Sequence, residues 1–127
     1  MKSQKILVVD DEKDLREALG EAFRLDGYTV FEAADGKEAV EVALREKPDI
    51  IFLDILMPVM SGHEALNEIR KDPWGRTVKV VFLSAMEDAR NITTAFEQGG
   101  EEYLIKTNWS LDELIKKAEA YLQGYKH

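Results

Sequence analysis

The sequence predicts an α/β fold, a parallel sheet covered by helices on both faces. Two observations carry this expectation. Strand-like and helix-like patterns alternate five times along the chain, the arrangement in which crossover helices connect parallel strands. The run Ile50-Ile51-Phe52-Leu53 is apolar at every position, as a strand buried on both faces must be, and it is bounded by Pro48-Asp49 and by Pro58. It ends on a carboxylate, Asp54, which has no packing reason to be there.

The first strand is Lys5-Ile6-Leu7-Val8-Val9, which stops at Asp10-Asp11. Residues 13 to 26 then turn helical, with Leu15, Ala18, Leu19, Ala22 and Phe23 on one apolar stripe and Gly27 as the stop. Tyr28 to Ala33 is the second strand, rich in aromatic and β-branched residues. Asp35 with Glu38 caps a second helix, striped by Ala39, Val40, Ala43 and Leu44, which ends before Pro48. The Asp54 strand follows. Ser61 with Glu64 caps a third helix, striped by Ala65, Leu66 and Ile69, and Asp72 to Arg76 form a turn-rich loop. Val78 to Leu83 is the fourth strand and ends on Ser84. The segment 87 to 98 is the weakest helix, with a face of Ala89, Ile92, Thr93 and Phe96 diluted by β-branching, and Gly99-Gly100 closes it. Glu102 to Ile105 is a short fifth strand running into Lys106. Ser110 with Glu113 caps the last helix, whose apolar side is Leu111, Leu114, Ile115, Ala118, Tyr121, Leu122 and Tyr125.

Composition narrows the function classes. A chain of 127 residues is the size of one domain, and 45% hydrophobic with 33% charged residues is a globular balance. No apolar run approaches the ~20 residues of a membrane span, and no secretion leader precedes the first strand, so no membrane role is expected. The net charge of −8 disfavours direct nucleic-acid binding, which draws its affinity from Lys and Arg on phosphates. The lack of cysteine fits a reducing cytoplasm, the expected location.

Four of the five strands deliver a polar group at their C-terminal ends: Asp10 and Asp11, Asp54, Ser84, and Lys106. In a parallel sheet these ends share one edge, the edge where open α/β sheets bind ligands. Three carboxylates in one small site need cations beside them. Lys106 is one; Mg²⁺, a hard cation that prefers carboxylate oxygens, is the expected other. Carboxylate, metal, ammonium and hydroxyl around one point suit phosphoryl transfer, with Asp54 as the nucleophile. Taken singly, each residue has a plainer reading: a solvated acidic turn, a helix cap, a surface lysine.

At these motifs the chain resembles the receiver domain of bacterial two-component response regulators, the family of the chemotaxis response regulator. Val8-Val9-Asp10-Asp11, Leu53 to Gly62, Leu83-Ser84-Ala85 and Tyr103-Leu104-Ile105-Lys106 stand in the family's order over essentially the whole chain. The resemblance implies a flavodoxin-like, doubly wound sheet of strand order 2-1-3-4-5 with five helices. It implies that Asp54 accepts phosphate from a histidine kinase, a phosphotransfer protein or a small phosphodonor. Asp10, Asp11, Asp54 and the backbone carbonyl of Leu56 would hold Mg²⁺, and Lys106 would pair with the phosphate. Ser84 would close over a phosphate oxygen and Tyr103 would follow it inward, changing the surface of the fourth helix, fifth strand and fifth helix that a downstream protein reads.

The chain also departs from the family pattern. Thr107 follows Lys106 where the family usually has proline, often after a cis bond; a cis bond before a non-proline residue costs ~2.5–4 kcal/mol, so a trans or a strained junction is expected. Gly100-Glu101-Glu102 replaces the more usual Ala-Asp-Asp. Leu56 and Met86, apolar and bulky, stand two positions past Asp54 and Ser84, which predicts slow self-dephosphorylation because they exclude and fail to orient water.

The expected function is therefore a phosphorylation-controlled signalling module, not a turnover enzyme. The Asp-nucleophile phosphatases of the haloacid dehalogenase type are set aside because Leu56 stands where their second Asp belongs. The remaining alternative is a degenerate receiver that binds partners without phosphate. Only Gln123 to His127 follow the last helix, so one receiver domain over residues 1–127 with no output domain is expected, either standing alone or cut from a longer chain. It would be a monomer or a phosphorylation-dependent dimer. Trp74 and Trp109 fit partner contact or loop packing equally, His63 and His127 read as structural or solvated, and Tyr121 and Tyr125 read as helix packing.

Overall fold

The computed structural model describes residues 4–85 and 89–123. Five parallel strands, β1 (Lys5–Val9), β2 (Thr29–Ala33), β3 (Ile50–Asp54), β4 (Lys79–Ser84) and β5 (Glu102–Ile105), form one sheet in the order β2-β1-β3-β4-β5. The helices are α1 (Lys13–Leu25), α2 (Gly36–Glu46), α3 (Gly62–Arg70), α4 (Ala89–Glu97) and α5 (Leu111–Leu122). The expected fold class and strand order are those observed.

Each central strand buries both faces, so alternate side chains feed two cores. Leu7, Val9, Ile51, Leu53, Val80 and Phe82 pack beneath α2, α3 and α4. Ile6, Val8, Ile50, Phe52, Val81 and Leu83 pack beneath α1 and α5, with Phe23 stacked on Phe52 at 5.3 Å between centroids. β3 is buried at every position, Asp54 included. The helix starts follow their caps. Asp35, Ser61 and Ser110 accept hydrogen bonds from the backbone N–H groups of Glu38, Glu64 and Glu113, and α3 and α5 carry complete capping boxes.

Several details differ from the sequence expectation. Asp72 to Arg76 is not wholly irregular, since Trp74–Arg76 makes one 3₁₀ turn. In α2, Val42 is buried while Val40 and Leu44 are only partly covered. Leu111 of α5 is exposed. In α4, Ala95 is buried, the expected Ile92 packs on the core and Phe96 is exposed, so the inner face is Asn91, Ile92 and Ala95, with Gln98 just past the helix end. Its polar members meet His63 of α3, whose Nδ1 lies 2.8 Å from Gln98 Oε1 and whose Nε2 lies 3.2 Å from Asn91 Oδ1. A hydrophobic stripe cannot report a face held by polar bridges. Trp74 and Trp109 both pack, partly buried, against the two cores. Met86, Tyr125 and His127 lie outside the described residues.

The loop between β3 and α3 is clamped at both ends. Gly62 N–H donates to the Ile55 carbonyl at 2.8 Å, and a Cβ on Gly36 would fall 2.2 Å from the Met60 carbonyl oxygen. Between them Val59 takes a positive φ of 72°, which a β-branched residue rarely adopts.

Candidate functional site

Strand register assembles the site. Val9 stands opposite Leu53, so the residues that follow, Asp10 and Asp54, emerge side by side. Asp54 stands opposite Leu83, which places Ser84 one step further along the next strand, and Ser84 in turn stands opposite Ile105, the residue before Lys106. One edge of the sheet thus carries all the predicted strand-end groups.

Carboxylate oxygens of Asp10, Asp11 and Asp54 lie within 4.8 Å of one another. Asp10 and Asp54 are buried and Asp11 is exposed. Asp10 Oδ1 accepts from the Glu12 N–H at 2.9 Å, and Asp54 Oδ1 accepts from the Ile55 N–H at 2.8 Å. The side chain of Lys106 reaches back from β5 to bring its Nζ 2.7 Å from Asp10 Oδ2 and 3.3 Å from Asp54 Oδ2. It also lies 3.0 Å from Glu12 Oε1. Lys106 is followed by a 3₁₀ turn over Lys106–Asn108, and no cis peptide bond occurs among the described residues, so the Lys106–Thr107 junction is trans.

The electrostatics follow from burial. Desolvation pushes the Asp54 carboxyl up to about 7, helped by the negative charge of Asp10 and opposed by Lys106. Desolvation also raises Asp10, although its bond to Lys106 pulls the other way. For Lys106 burial works against the charge, but Asp10, Asp54 and Glu12 together outweigh it and raise its pKa. One ammonium does not neutralise the three carboxylates. Asp10 Oδ2 is moreover a buried oxygen with no donor aligned to it in hydrogen-bond geometry, despite the nearby Lys106. An acidic cluster with an orphaned buried oxygen is the donor set that a hard divalent cation fits.

Ser84 is buried at the end of β4. Tyr103 is buried on β5, its ring stacked on Phe82 at 6.3 Å between centroids. Leu56 is 60% exposed, in the loop after Asp54.

Two participants escaped the sequence reading. Glu12, on Lys106, carries no signal of its own in the sequence beyond extending the acidic run Asp10-Asp11-Glu12. Arg16 donates to the Asp10 carbonyl at 2.7 Å and pairs with Glu32 of β2 at 3.3 Å, holding the end of β1 in place. Arg16 stands six residues past Asp10, and no local pattern marks that role.

Known proteins are similar to this chain in sequence and fold. The response regulator receiver domain model matches residues 6–119. Response regulator MprA of Mycobacterium ulcerans is 34% identical over 124 residues, 98% of this chain and 52% of that protein. The chain spans about half the length of the curated relatives it matches. Chemotaxis response regulator CheY4 of Vibrio cholerae superposes with a TM-score of 0.82 at 27% identity, covering 93% of this chain and 98% of that one. The receiver domain of Francisella response regulator 1452 gives 0.79 at 31% identity, covering 94% and 97%. Sheet order, clustered strand-end carboxylates, the lysine that reaches them and these matches agree: the chain belongs to the response regulator receiver domains of two-component systems.

Proposed function

We propose that this receiver accepts a phosphoryl group on Asp54 and uses it to switch a protein-binding surface. The observation that carries the reading is the convergence of Asp54, Asp10 and Lys106, with the ammonium within 3.3 Å of both buried carboxylates. Receiver domains are signalling domains and interact with histidine kinases or phosphotransfer proteins. Either of these, or a small phosphodonor, would be the source of the phosphoryl group.

Asp54 acts as the nucleophile. One carboxylate oxygen bonds to phosphorus, the bond from phosphorus to the leaving group breaks, and an aspartyl phosphate remains. Lys106 meets the phosphoryl oxygens with positive charge. Asp10, Asp11, Asp54 and the carbonyl of Leu56 are the groups that would hold Mg²⁺. Bound there, Mg²⁺ supplies the positive charge that keeps Asp54 ionised and offsets the phosphoryl oxygens.

The new group adds charge and acceptor oxygens at a buried edge. Ser84 turns toward one oxygen, Tyr103 holds the inward position beside Phe82, and the surface of α4, β5 and α5 changes with them. A downstream protein reads that surface. The net charge of −8 supports protein rather than nucleic acid as the direct partner. No helix among the described residues is long and apolar enough to cross a membrane.

Acetyl phosphate with Mg²⁺, followed by intact mass, tests the reading. Gain of one phosphoryl group, absent in Asp54→Asn, is expected. No adduct on the wild-type chain would overturn it, and release of phosphate far beyond one equivalent would mean a turnover phosphatase instead.

A further inference from the structure

Lys106 has three N–H donors, and three carboxylates surround it at 2.7 Å (Asp10), 3.0 Å (Glu12) and 3.3 Å (Asp54). Of the three, Glu12 accepts an aligned hydrogen bond from Nζ, so that donor is taken before any phosphoryl group arrives. A phosphoryl oxygen that pairs with Lys106 competes with these carboxylates for the ammonium. Asp10 is fully buried, and leaving Lys106 would strand its charge in the interior. Asp54 is the residue that receives the phosphoryl group. Glu12 differs from both, because its side chain is 61% exposed.

The backbone around Glu12 makes the exchange easy. Its N–H is held by Asp10 Oδ1 at 2.9 Å, so the main chain need not move. It is the N-cap residue of α1, yet its side chain makes no capping hydrogen bond. A carboxylate that swings off Lys106 can turn toward its own helix N-terminus, where negative charge is favoured.

We propose that Glu12 is a positioning residue: it occupies one donor of Lys106 in the resting site and is the ligand that an incoming phosphoryl oxygen replaces. This rests on the receiver reading above and deepens it. Glu12 competes with the phosphoryl group for Lys106, so its strength as a ligand sets how readily the site fills.

The test compares the wild-type chain with Glu12→Gln and Glu12→Asp. Trifluoroberyllate, a phosphoryl stand-in, is titrated calorimetrically in the presence of Mg²⁺, and the rate of phosphoryl gain from acetyl phosphate is followed by intact mass. Gln removes the charge. Asp keeps the charge but is one methylene shorter and prefers the N-cap position, which draws it off Lys106. Displacing an ion pair with one exposed partner predicts trifluoroberyllate affinity about two- to fivefold tighter in both variants, with faster labelling. Wild-type affinity in both variants overturns the proposal. So does a gain in Gln alone, which would mean that Glu12 only repels anions at a distance. If the wild-type chain neither binds trifluoroberyllate nor takes up phosphate, the receiver function itself fails and this inference falls with it. Wild-type labelling with unchanged variants sinks the inference alone.

Discussion

Gly62 lies so close to Asp54 that a Cβ at position 62 would fall 2.1 Å from the Asp54 carbonyl oxygen. The first residue of α3 thus rests directly on the strand end that carries the candidate phosphoacceptor. The Gly62→Ala chain must open that contact. A loss of about 1–3 kcal/mol in urea denaturation is expected, the usual cost of overpacking, together with slower phosphoryl uptake. Unchanged stability would show that the β3–α3 junction gives way freely.

Val59 sits in the same clamped loop with φ at 72° and is 77% exposed, so it gains little from packing in return for its backbone strain. Val59→Gly and Val59→Asn relieve that conformation. Each is expected to raise stability by about 1 kcal/mol in chemical denaturation. Asn is the more telling variant, because it does not loosen the unfolded chain as Gly does.

Leu56 presents an apolar, exposed side chain next to Asp54. If it keeps water unoriented at the aspartyl phosphate, Leu56→Asn shortens the phosphoryl lifetime several-fold in Mg²⁺. The decay is followed by intact mass after the donor is removed. A wild-type half-life of a few seconds would contradict the slow hydrolysis expected here.

Burial, helped by the charge of Asp10, pushes the Asp54 carboxyl up from 3.8 to about 7. A carboxyl raised on folding contributes stability that is complete below its unfolded pKa and is lost as pH rises through the folded one. The metal-free protein should therefore lose stability between about pH 4 and 7 as Asp54 ionises. Asp10, raised in the same direction, adds to the slope. Mg²⁺ should flatten the pH profile, and Asp54→Asn should remove part of it and stabilise the metal-free chain at pH 8 by on the order of 1 kcal/mol. Thermal unfolding across pH, with and without Mg²⁺, measures all three.

Arg70 ties α3 to the chain on both sides of β4. It donates to the carbonyls of Gln98 at 3.1 Å, Gly75 at 2.9 Å, Val78 at 2.8 Å and Gly99 at 3.4 Å. Arg70→Lys keeps the charge but cannot reproduce a planar fork over so many acceptors. A loss of about 2 kcal/mol is expected, with faster amide exchange at the end of α4. Wild-type exchange there would mean that Gln98 and His63 hold α4 unaided.

Much of this was legible in the residues because it depends on short-range periodicity. Caps at Asp35, Ser61 and Ser110 act within one helical turn, and the all-apolar β3 reports burial on both faces by itself. α4 was less legible because its inner side mixes Ile92 and Ala95 with Asn91 and the following Gln98, whose reason for being inside is His63 on another helix.

By itself the sequence determined the alternating strand–helix order, and with it the placing of Asp10, Asp11, Asp54, Ser84 and Lys106 at strand ends on one edge. Periodicity and chain connectivity suffice for that. Only the tertiary structure decided how those groups divide their charges: that Lys106 leans closest to Asp10, that Glu12 takes one of its donors, and that burial raises Asp54 to about 7. Side-chain reach across a twisted sheet and the loss of solvent are properties of the packed molecule, and no local pattern in the chain encodes them.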